Sequence, residues 1–316
     1  MFVNFYLSNI YYMTLTLGTE CSGICAPSVA LSLLGVGVDY RFACEYDPHC
    51  RKQLVHHYQP KTLYENMTTR DVTKMESVDL YVVGSPCQSY SYLGNRKGDA
   101  DGRGLLVYKA VEYIETHKPK YFILENVKGF YTAQEGKVFA QIMFRLNNLD
   151  NYSIGAATLN TKDYGVPQSR QRMYVVGVPK DQHFEFPLIS PCPPLADFLD
   201  SSTAEAALTP FAEASLGFYR EKIPHLDENC HVVDLSVTKD YVRSGKVNIC
   251  PCLRINSSRF YVTTLRRYLT TRECLRLQGF PDSWESVCSD SQTRKQCGNA
   301  MSVNVLVAIL KEITTC

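Results

Sequence analysis

Short apolar runs alternate with longer amphipathic segments through the first 178 positions of the chain. Short runs bounded by turn residues predict buried strands, and apolar positions at helical spacing predict helices. The predicted strands are 13–19, 40–45, 80–84, 121–125, 152–159 and 173–178. Helices are predicted at 48–57, 105–116 and 303–313, and two more are predicted to begin at residues 27 and 138. Buried strands that alternate with helices favour an α/β fold, built on a doubly wound, mostly parallel sheet that binds ligands at the carboxyl ends of its strands.

The regular alternation stops after Val178, where four prolines fall between positions 187 and 194. It does not return before the closing helix at 303–313. We therefore predict a first domain at 1–178, a second, smaller domain at 179–268, and a C-terminal segment at 269–316 that returns to the first domain.

Charge is balanced over the whole chain but not along its length. The 33 Lys and Arg residues against 32 Asp and Glu give a net charge of +1, which does not by itself demand a nucleic-acid partner. Positions 181–234 hold ten acidic and two basic residues, whereas positions 239–276 hold nine basic and two acidic ones. Only the second stretch suits a phosphate-bearing partner, although a solvated charged face is the plain alternative.

The cysteine content indicates the cellular compartment. The 13 cysteines are odd in number and no secretory leader opens the sequence, so we interpret them as reduced thiols of an intracellular protein. The aromatic start at 2–12 is too short to span a bilayer, and we expect a soluble protein that does not contact membranes. No Cys or His spacing completes a metal site, and none is expected.

A thiol stands where a nucleophile would be exposed. Cys87 lies in the turn Gly84-Ser85-Pro86-Cys87-Gln88-Ser89, directly after a predicted strand. Backbone N–H groups in such a turn can lower the pKa of a thiol from about 8.5 towards neutral pH. Taken alone, a buried core cysteine is the simpler interpretation, because this is one thiol of 13.

Further candidate groups follow neighbouring strands. Glu125 and Asn126 end the strand at 121–125, and the carboxyl ends of adjacent parallel strands lie close together. Arg170 and Arg172 precede the strand at 173–178, and arginines at alternate positions suit carbonyl or phosphate oxygens. A surface carboxylate or helix cap and two exposed arginines remain the plain alternatives.

These tripeptides, in this order, resemble the motif series of the DNA cytosine-5 methyltransferases. The matching segments are Pro86-Cys87-Gln88, Glu125-Asn126-Val127, Gln168-x-Arg170-x-Arg172, the run from Arg272 to Pro281, and Gly298-Asn299-Ala300. The resemblance covers about residues 14–178 and 263–313, and five motifs in the right order are far more specific than one. It implies the S-adenosylmethionine-dependent methyltransferase fold, with a cofactor-binding and catalytic domain at 1–178 and a target-recognition domain at 179–268.

The resemblance also implies a mechanism on double-stranded DNA. Cys87 would add to carbon 6 of cytosine while Glu125 supplies or shares a proton at ring nitrogen 3, which makes carbon 5 nucleophilic. Arg172, together with Arg170, would hold the carbonyl oxygen of the base. Pro86 and Asn126 would fix the loop geometry, and Gln88 completes the predicted catalytic set. The stretch 94–104, which contains Arg103, has the composition of a loop that closes over an extruded base.

S-adenosylmethionine is the cofactor that the resemblance implies. Its predicted site comprises Cys21, Ser22, Gly23, Ile24, Glu45, Tyr46, Asp71, Val72, Pro86, Asn299 and Ala300. Glu45 would hold the ribose hydroxyls, as an acidic residue does in other doubly wound nucleotide sites, and Asp71 would meet the adenine amino group. Cys21 stands where the family usually has Phe, and Cys25 where a second Gly is common, so the loop departs from the family pattern.

The basic stretch at 239–276 holds the other predicted DNA contacts, namely Arg254, Arg259, Arg266 and Arg267. We expect the protein to act as a monomer. An RNA cytosine-5 methyltransferase on the same scaffold is the nearest alternative, but the Cys-Phe-Thr tripeptide typical of family members that act on transfer RNA is absent. A catalytically weak DNA-binding homologue also remains open. A nicotinamide-dependent oxidoreductase is disfavoured because no Gly-x-Gly-x-x-Gly follows the first strand.

Overall fold

A computed structural model describes residues 13–85, 106–201, 204–242, 245–255 and 259–314. Within these residues the main sheet has seven strands in the order β3-β2-β1-β4-β5-β8-β6. Strands β1 to β5 are parallel, and β8 runs antiparallel to both of its neighbours, β5 and β6. The predicted α/β class with a doubly wound, mostly parallel sheet is therefore confirmed.

Two further groups of short strands lie outside the main sheet, one pairing β10 with β7 and the other ordered β12-β11-β9. The strands are β1 Thr14–Glu20, β2 Gly37–Cys44, β3 Thr62–Tyr64, β4 Leu80–Gly84, β5 Tyr121–Val127, β6 Tyr152–Asn160, β7 Gln168–Ser169, β8 Gln171–Pro179, β9 Val232–Asp234, β10 Cys250–Pro251, β11 Phe260–Val262 and β12 Arg267–Tyr268. The helices are α1 Ala26–Leu33, α2 Pro48–His57, α3 Leu106–His117, α4 Gly129–Thr132, α5 Lys137–Asn147, α6 Pro210–Lys222, α7 Thr271–Arg276, α8 Asp290–Asn299 and α9 Val303–Thr314.

The central strand β4 shows why continuous apolar runs form this sheet. Successive side chains of a strand point to opposite faces, and both faces of β4 are covered. Leu80 and Val82 pack into the apolar cluster that includes residues of α1 and α9. Tyr81 and Val83 pack into the opposite cluster, which includes residues of α3 and α5. Alternation of polar and apolar residues is absent because neither face meets water.

The C-terminal segment completes the first face of the sheet. Thr270 and Glu273 form a capping box at the start of α7, in which each side chain accepts an N–H from the other residue. Further on, α9 buries Leu306 and Ile309 in the same cluster as Leu31 of α1. The last helix therefore belongs to the same layer as the first one.

A separate apolar cluster lies within the stretch that was predicted as the second domain. It includes Leu216 and Tyr219 of α6, Val233 of β9 and Tyr261 of β11. These residues share a small core of their own, while the domain limits at 178 and 268 stay a prediction. Across the described ranges, none of the helices has the length and apolar character needed to cross a membrane.

Candidate active site

A cavity of about 530 Å³ lies at the carboxyl ends of the parallel strands. Its wall includes Cys21 after β1, Glu45 after β2, Gly84 at the end of β4 and Glu125 near the end of β5. Each of these positions follows or ends a buried strand, which is why the fold brings them together. This is the edge of the sheet at which doubly wound folds bind ligands.

The reversed strand β8 adds Arg172 to the same edge. Because β8 is antiparallel to β5, its first residues lie beside the last residues of β5, and Arg172 is opposite Val127. The Nε atom of Arg172 lies 3.2 Å from Oε1 of Glu125. The structure thus joins two of the predicted catalytic groups in an ion pair on the cavity wall.

Glu125 is a buried carboxyl group facing a cavity. Its residue is 6% exposed, and burial raises the pKa of its carboxyl group, against which the charges of Arg172 and Arg170 act in the opposite direction. Within the described residues Oε1 is buried and accepts no hydrogen bond that meets normal geometry. The raised pKa increases the fraction of this carboxyl group that carries a proton, which it can donate to a molecule in the cavity.

Gly84 keeps the space beside this carboxyl group open. In the β4–β5 pairing Gly84 is directly opposite Glu125. A Cβ atom at Gly84 would lie 3.6 Å from Oε2 of Glu125 and 3.2 Å from the terminal methyl carbon of Met301. An added Cβ atom would therefore be tight against the end of the Met301 side chain and would make an ordinary van der Waals contact with the carboxyl group.

Asn126 fixes the start of the loop that carries the predicted nucleophile. Its Nδ2 donates to Oγ of Ser85 at 2.8 Å, and its Oδ1 accepts the N–H of Val127 at 2.8 Å. The next residues, Pro86, Cys87 and Gln88, lie outside the described residues, as does Arg103. That Cys87 faces Glu125 accordingly stays a prediction.

Arg170 is buried, and its side chain binds carbonyl oxygens of the protein. It is 2% exposed, and its Nη1 donates to the carbonyl oxygen of Leu253 at 2.9 Å. Its Nη2 donates to the carbonyl oxygens of Ala300 at 2.8 Å and Gly298 at 3.2 Å. Both terminal nitrogens are engaged, so Arg170 holds these segments together. It also borders the cavity, and its contact with a substrate oxygen stays a prediction.

The predicted cofactor loop turns tightly between β1 and α1. Cys21, Gly23 and Cys25 all have positive φ, at 50°, 54° and 55°, a region that non-glycine residues seldom occupy. Ser22 is buried, and its hydroxyl group accepts from Oγ1 of Thr19 at 2.6 Å. The backbone N–H of Cys25 donates to the carbonyl oxygen of Ser22 at 2.9 Å, which helps to hold this strained cysteine in place.

Glu45 lies against this loop, as predicted. Its Oε2 accepts the N–H of Gly23 at 2.7 Å, and its Oε1 accepts the N–H of Asp47 at 2.8 Å. Burial raises its pKa, while these two hydrogen bonds lower it. Each oxygen retains a lone pair for a further donor in the cavity.

The remaining predicted cofactor residues divide into two groups. Tyr46, which is 79% exposed, and Asn299 border the cavity, whereas Ile24 and Ala300 are buried in the apolar cluster on the α1 and α9 face. Val72 is buried in the opposite cluster and does not border the cavity.

Asp71 is not brought to the cavity either. Its carboxylate accepts the N–H and the hydroxyl of Thr73 at 3.1 and 2.7 Å and lies 3.3 Å from Nζ of Lys74. Asn66, Met67 and Thr68 border the cavity instead. Sequence reasoning missed them because they follow β3, a three-residue strand too short to give an apolar pattern.

Lys295 and two of the three cysteines that border the cavity were also missed. The thiols belong to Cys21, which was predicted, and to Cys44 and Cys50, which were not. Burial raises the pKa of each of these thiols, so all three favour the neutral form. In the described parts of the chain, no group of three or more His, Cys, Asp and Glu side chains is placed to hold a metal ion.

The predicted DNA contacts have different environments. Arg259 and Arg266 are exposed, with Arg266 3.8 Å from a carboxylate oxygen of Glu205. Arg254 pairs with Asp234. Arg267 is 3% exposed and donates to both carboxylate oxygens of Glu273, at 2.7 and 2.9 Å. The structure therefore places Arg267 in the interior, where it cannot meet a phosphate.

Comparisons with known proteins agree with this geometry. The sequence model of a family described as C-5 cytosine-specific DNA methylase matches residues 21–315. The chain is similar to the Type II methyltransferase M.HaeII of Haemophilus aegyptius, with 33% identity over 304 residues, 94% of this chain and 91% of that protein. It is similarly related to the Type II methyltransferase M.NgoBI of Neisseria gonorrhoeae, with 33% identity over 276 residues, 85% of this chain and 84% of that protein.

Solved structures share the fold. A putative DNA modification methyltransferase encoded within an E. coli prophage superposes with a TM-score of 0.69 at 21% identity, over 95% of this chain and 99% of that chain. The S. pombe Dnmt2 methyltransferase superposes with a TM-score of 0.67 at 18% identity, over 95% of this chain and 98% of that chain. At these identities the likeness establishes the architecture alone.

Proposed function

Because the chain belongs to the C-5 cytosine-specific DNA methylase family, we propose that it transfers a methyl group from S-adenosylmethionine to carbon 5 of cytosine in double-stranded DNA. The observation that carries this assignment is the buried Glu125 carboxyl group, which faces the cavity and pairs with Arg172. A proton donor and a fixed cation beside one another are what activation of a cytosine ring requires.

The cavity suits the methyl donor chemically. Glu45 directly follows β2 and offers acceptor oxygens to two ribose hydroxyls, the role of an acidic residue at this position in doubly wound nucleotide sites. The tight turn at Gly23 lets the backbone approach a ligand closely. When bound, S-adenosylmethionine supplies an electrophilic methyl group.

The remaining chemistry belongs to the residues of the chain. By the family resemblance, the Cys87 thiolate forms a bond to carbon 6 of cytosine, and Glu125 gives a proton to ring nitrogen 3. Carbon 5 then carries the electron pair that takes the methyl group. A base then takes the proton from carbon 5 as the bond between the sulfur and carbon 6 breaks, and ring nitrogen 3 returns its proton to Glu125, which restores the ring. Arg172 holds the base oxygen and keeps Glu125 in position.

The raised pKa of Glu125 suits its role as a proton donor. A carboxyl group with an ordinary pKa would be almost fully ionised at neutral pH, and burial increases the fraction that still carries a proton. The charge of Arg172 lowers the pKa of Glu125. The charge around the ion pair therefore determines what fraction of the carboxyl group carries a proton.

Reaction at carbon 5 requires the target nucleotide to leave the duplex, at a cost of a few kcal/mol. We propose that the stretch 179–268 recognises the target sequence, that Arg259 and Arg266 contact the DNA backbone, and that the protein acts as a monomer inside the cell. Since the relatives are named as Type II methyltransferases, we further propose a role in DNA modification that accompanies restriction.

Incubation with methyl-labelled S-adenosylmethionine and mixed-sequence DNA tests this function. Label should enter DNA, and sequencing of the methylated positions should give one recognition sequence. Cys87→Ser should abolish transfer, whereas Cys192→Ser, which alters another thiol outside the cavity, should leave it unchanged. Label in RNA but not in DNA would instead identify the RNA alternative.

A further inference from the structure

The sulfur of Cys252 lies between the two arginines of the catalytic motif. Nη1 of Arg170 donates to this sulfur at 3.3 Å, and Nη2 of Arg172 lies 3.8 Å from it. Cys252 follows β10, whose parallel pairing places Cys250 opposite Gln168, two residues before Arg170. The segment predicted to recognise DNA thus re-enters the catalytic domain at this thiol.

The same two arginines set the charge of the thiol. Burial raises the pKa of Cys252, but the charges and hydrogen bonds of Arg170 and Arg172 outweigh it, and the pKa lies below the usual value for cysteine. When protonated, the thiol can donate to the carbonyl oxygen of Leu253 at 3.4 Å. Cys230 is also partly buried, and burial raises its pKa instead. The difference comes from the two guanidinium groups.

We propose that Cys252 is a positioning residue for the methyl transfer, whose sulfur holds the Arg172 guanidinium beside Glu125 and offsets part of the positive charge of both arginines. This inference rests on the proposed function. The geometry supports it directly, because one guanidinium group bridges the two acidic groups. Arg172 approaches Glu125 through Nε and Cys252 through Nη2.

The consequence is a defined pH dependence. The charged or titratable groups around the sulfur are Arg170 and Arg172, the Glu125 carboxyl group beyond Arg172, and the neighbouring thiol of Cys250. A serine hydroxyl at this position does not ionise in this pH range, so less negative charge would lie beside the two guanidinium groups, and positive charge lowers the pKa of a carboxyl group. Glu125 would then lose its proton at a lower pH, and the alkaline limb of the activity profile would move in the same direction.

Single-turnover methyl transfer, measured from mildly acidic to mildly alkaline pH, tests the proposal with Cys252→Ser. The alkaline limb should move to lower pH by about one unit, and Cys230→Ser should keep the wild-type profile. A purely structural role would lower the rate equally at every pH. An unshifted limb, or weaker DNA binding with no change in the profile, would overturn the proposal.

Alkylation of the wild-type protein by iodoacetamide, followed by peptide mass spectrometry, gives an independent measurement. The alkylation rate of Cys252 should reach half of its maximum at a lower pH than the alkylation rate of Cys230. If it does so at the same or a higher pH, the thiolate does not form and the proposal fails, even if the serine variant does not fold. A wild-type protein that methylates no DNA would refute the proposed function, while this alkylation comparison still decides whether the arginines ionise Cys252.

Discussion

The Glu125 carboxyl group experiences two opposing influences. Burial favours its protonated form, and the guanidinium group 3.2 Å away favours its carboxylate. Burial keeps a proton on the carboxyl group for transfer to the cytosine ring, and the ion pair with Arg172 fixes the side chain on the cavity wall. A proton donor at this position needs both, since a fully hydrated carboxyl group would ionise and an unpaired one would be free to rotate.

Glu125→Gln should remove the proton donor while retaining the size of the side chain. We expect the single-turnover rate to fall by about 10²–10⁴-fold, the usual contribution of a general acid. The matched control is Glu135→Gln, whose side chain is 85% exposed, and it should leave the rate unchanged. Retention of most of the activity in the Glu125 variant would mean that the proton comes from another group.

The two arginines of the motif should respond differently to replacement by lysine. Arg170→Lys leaves buried carbonyl oxygens of Leu253, Gly298 and Ala300 without their donors, and should lower the free energy of unfolding by about 2–3 kcal/mol. Arg172→Lys should leave that free energy nearly unchanged and reduce methyl transfer. Urea unfolding and single-turnover assays of both variants measure the contrast. Equal losses of stability would contradict the separate roles.

Individual site residues could be predicted where a buried strand of ordinary length precedes them. Glu125 lies near the end of a seven-residue strand, Glu45 directly follows an eight-residue one, and both border the cavity. Asn66 follows a three-residue strand and was missed, whereas Asp71, which was predicted as a cofactor residue, does not border the cavity. The different roles of Arg170 and Arg172 could not be predicted, because they depend on carbonyl oxygens more than 80 residues away in sequence.

Helix α8 packs against residues 254 and 255, which lie in the stretch predicted to recognise DNA. A Cβ atom at Gly298 would lie 2.2 Å from the carbonyl carbon of Arg254 and 2.5 Å from the backbone nitrogen of Ile255. Backbone atoms cannot move aside as the end of a flexible side chain can. The absence of a side chain at Gly298 is therefore what allows α8 and this segment to pack together.

Gly298→Ala should lower the free energy of unfolding by about 1–3 kcal/mol, because the added methyl group overlaps the backbone of the neighbouring segment. Gly217 gives the matched control, since it lies inside α6 with nothing within 4 Å of a Cβ atom. Gly217→Ala should raise the same quantity by about 0.5–1 kcal/mol through helix propensity. Urea unfolding measures both changes, and effects of the same sign would contradict the packing argument.

The elements of the main sheet were the most predictable part of the fold. The predictions for β4 and α2 match the observed Leu80–Gly84 and Pro48–His57, because an apolar run with turn residues and an Asp-Pro helix start are local signals. The reversal of β8 was not predicted, since strand direction depends on partners distant in sequence. Helix α8 was missed because its sequence, DSQTRKQCGN, is mostly polar and carries no apolar periodicity.

The basic stretch at 239–276 offers fewer DNA contacts than its composition suggests. Arg276 pairs with Asp200 and Asp282, and Arg267 pairs with Glu273 in the interior. Net charge along a sequence does not distinguish internal ion pairs from exposed side chains. Among the predicted contacts that the structure describes, Arg259 and Arg266 are exposed, and the carboxylate beside Arg266, that of Glu205, is exposed as well.

The salt dependence of DNA binding should distinguish arginines that contact phosphates from an arginine elsewhere on the protein. Each phosphate contact that is removed should reduce the slope of log K against log salt by about one. Arg259→Gln and Arg266→Gln should each do so and should weaken binding to all DNA sequences alike, because phosphates carry no sequence information. Arg145→Gln provides the control, since it removes the same charge from α5, where Arg145 pairs with Glu115. A change of slope in the control as large as in the other two would mean that overall charge, rather than contact at these positions, governs binding.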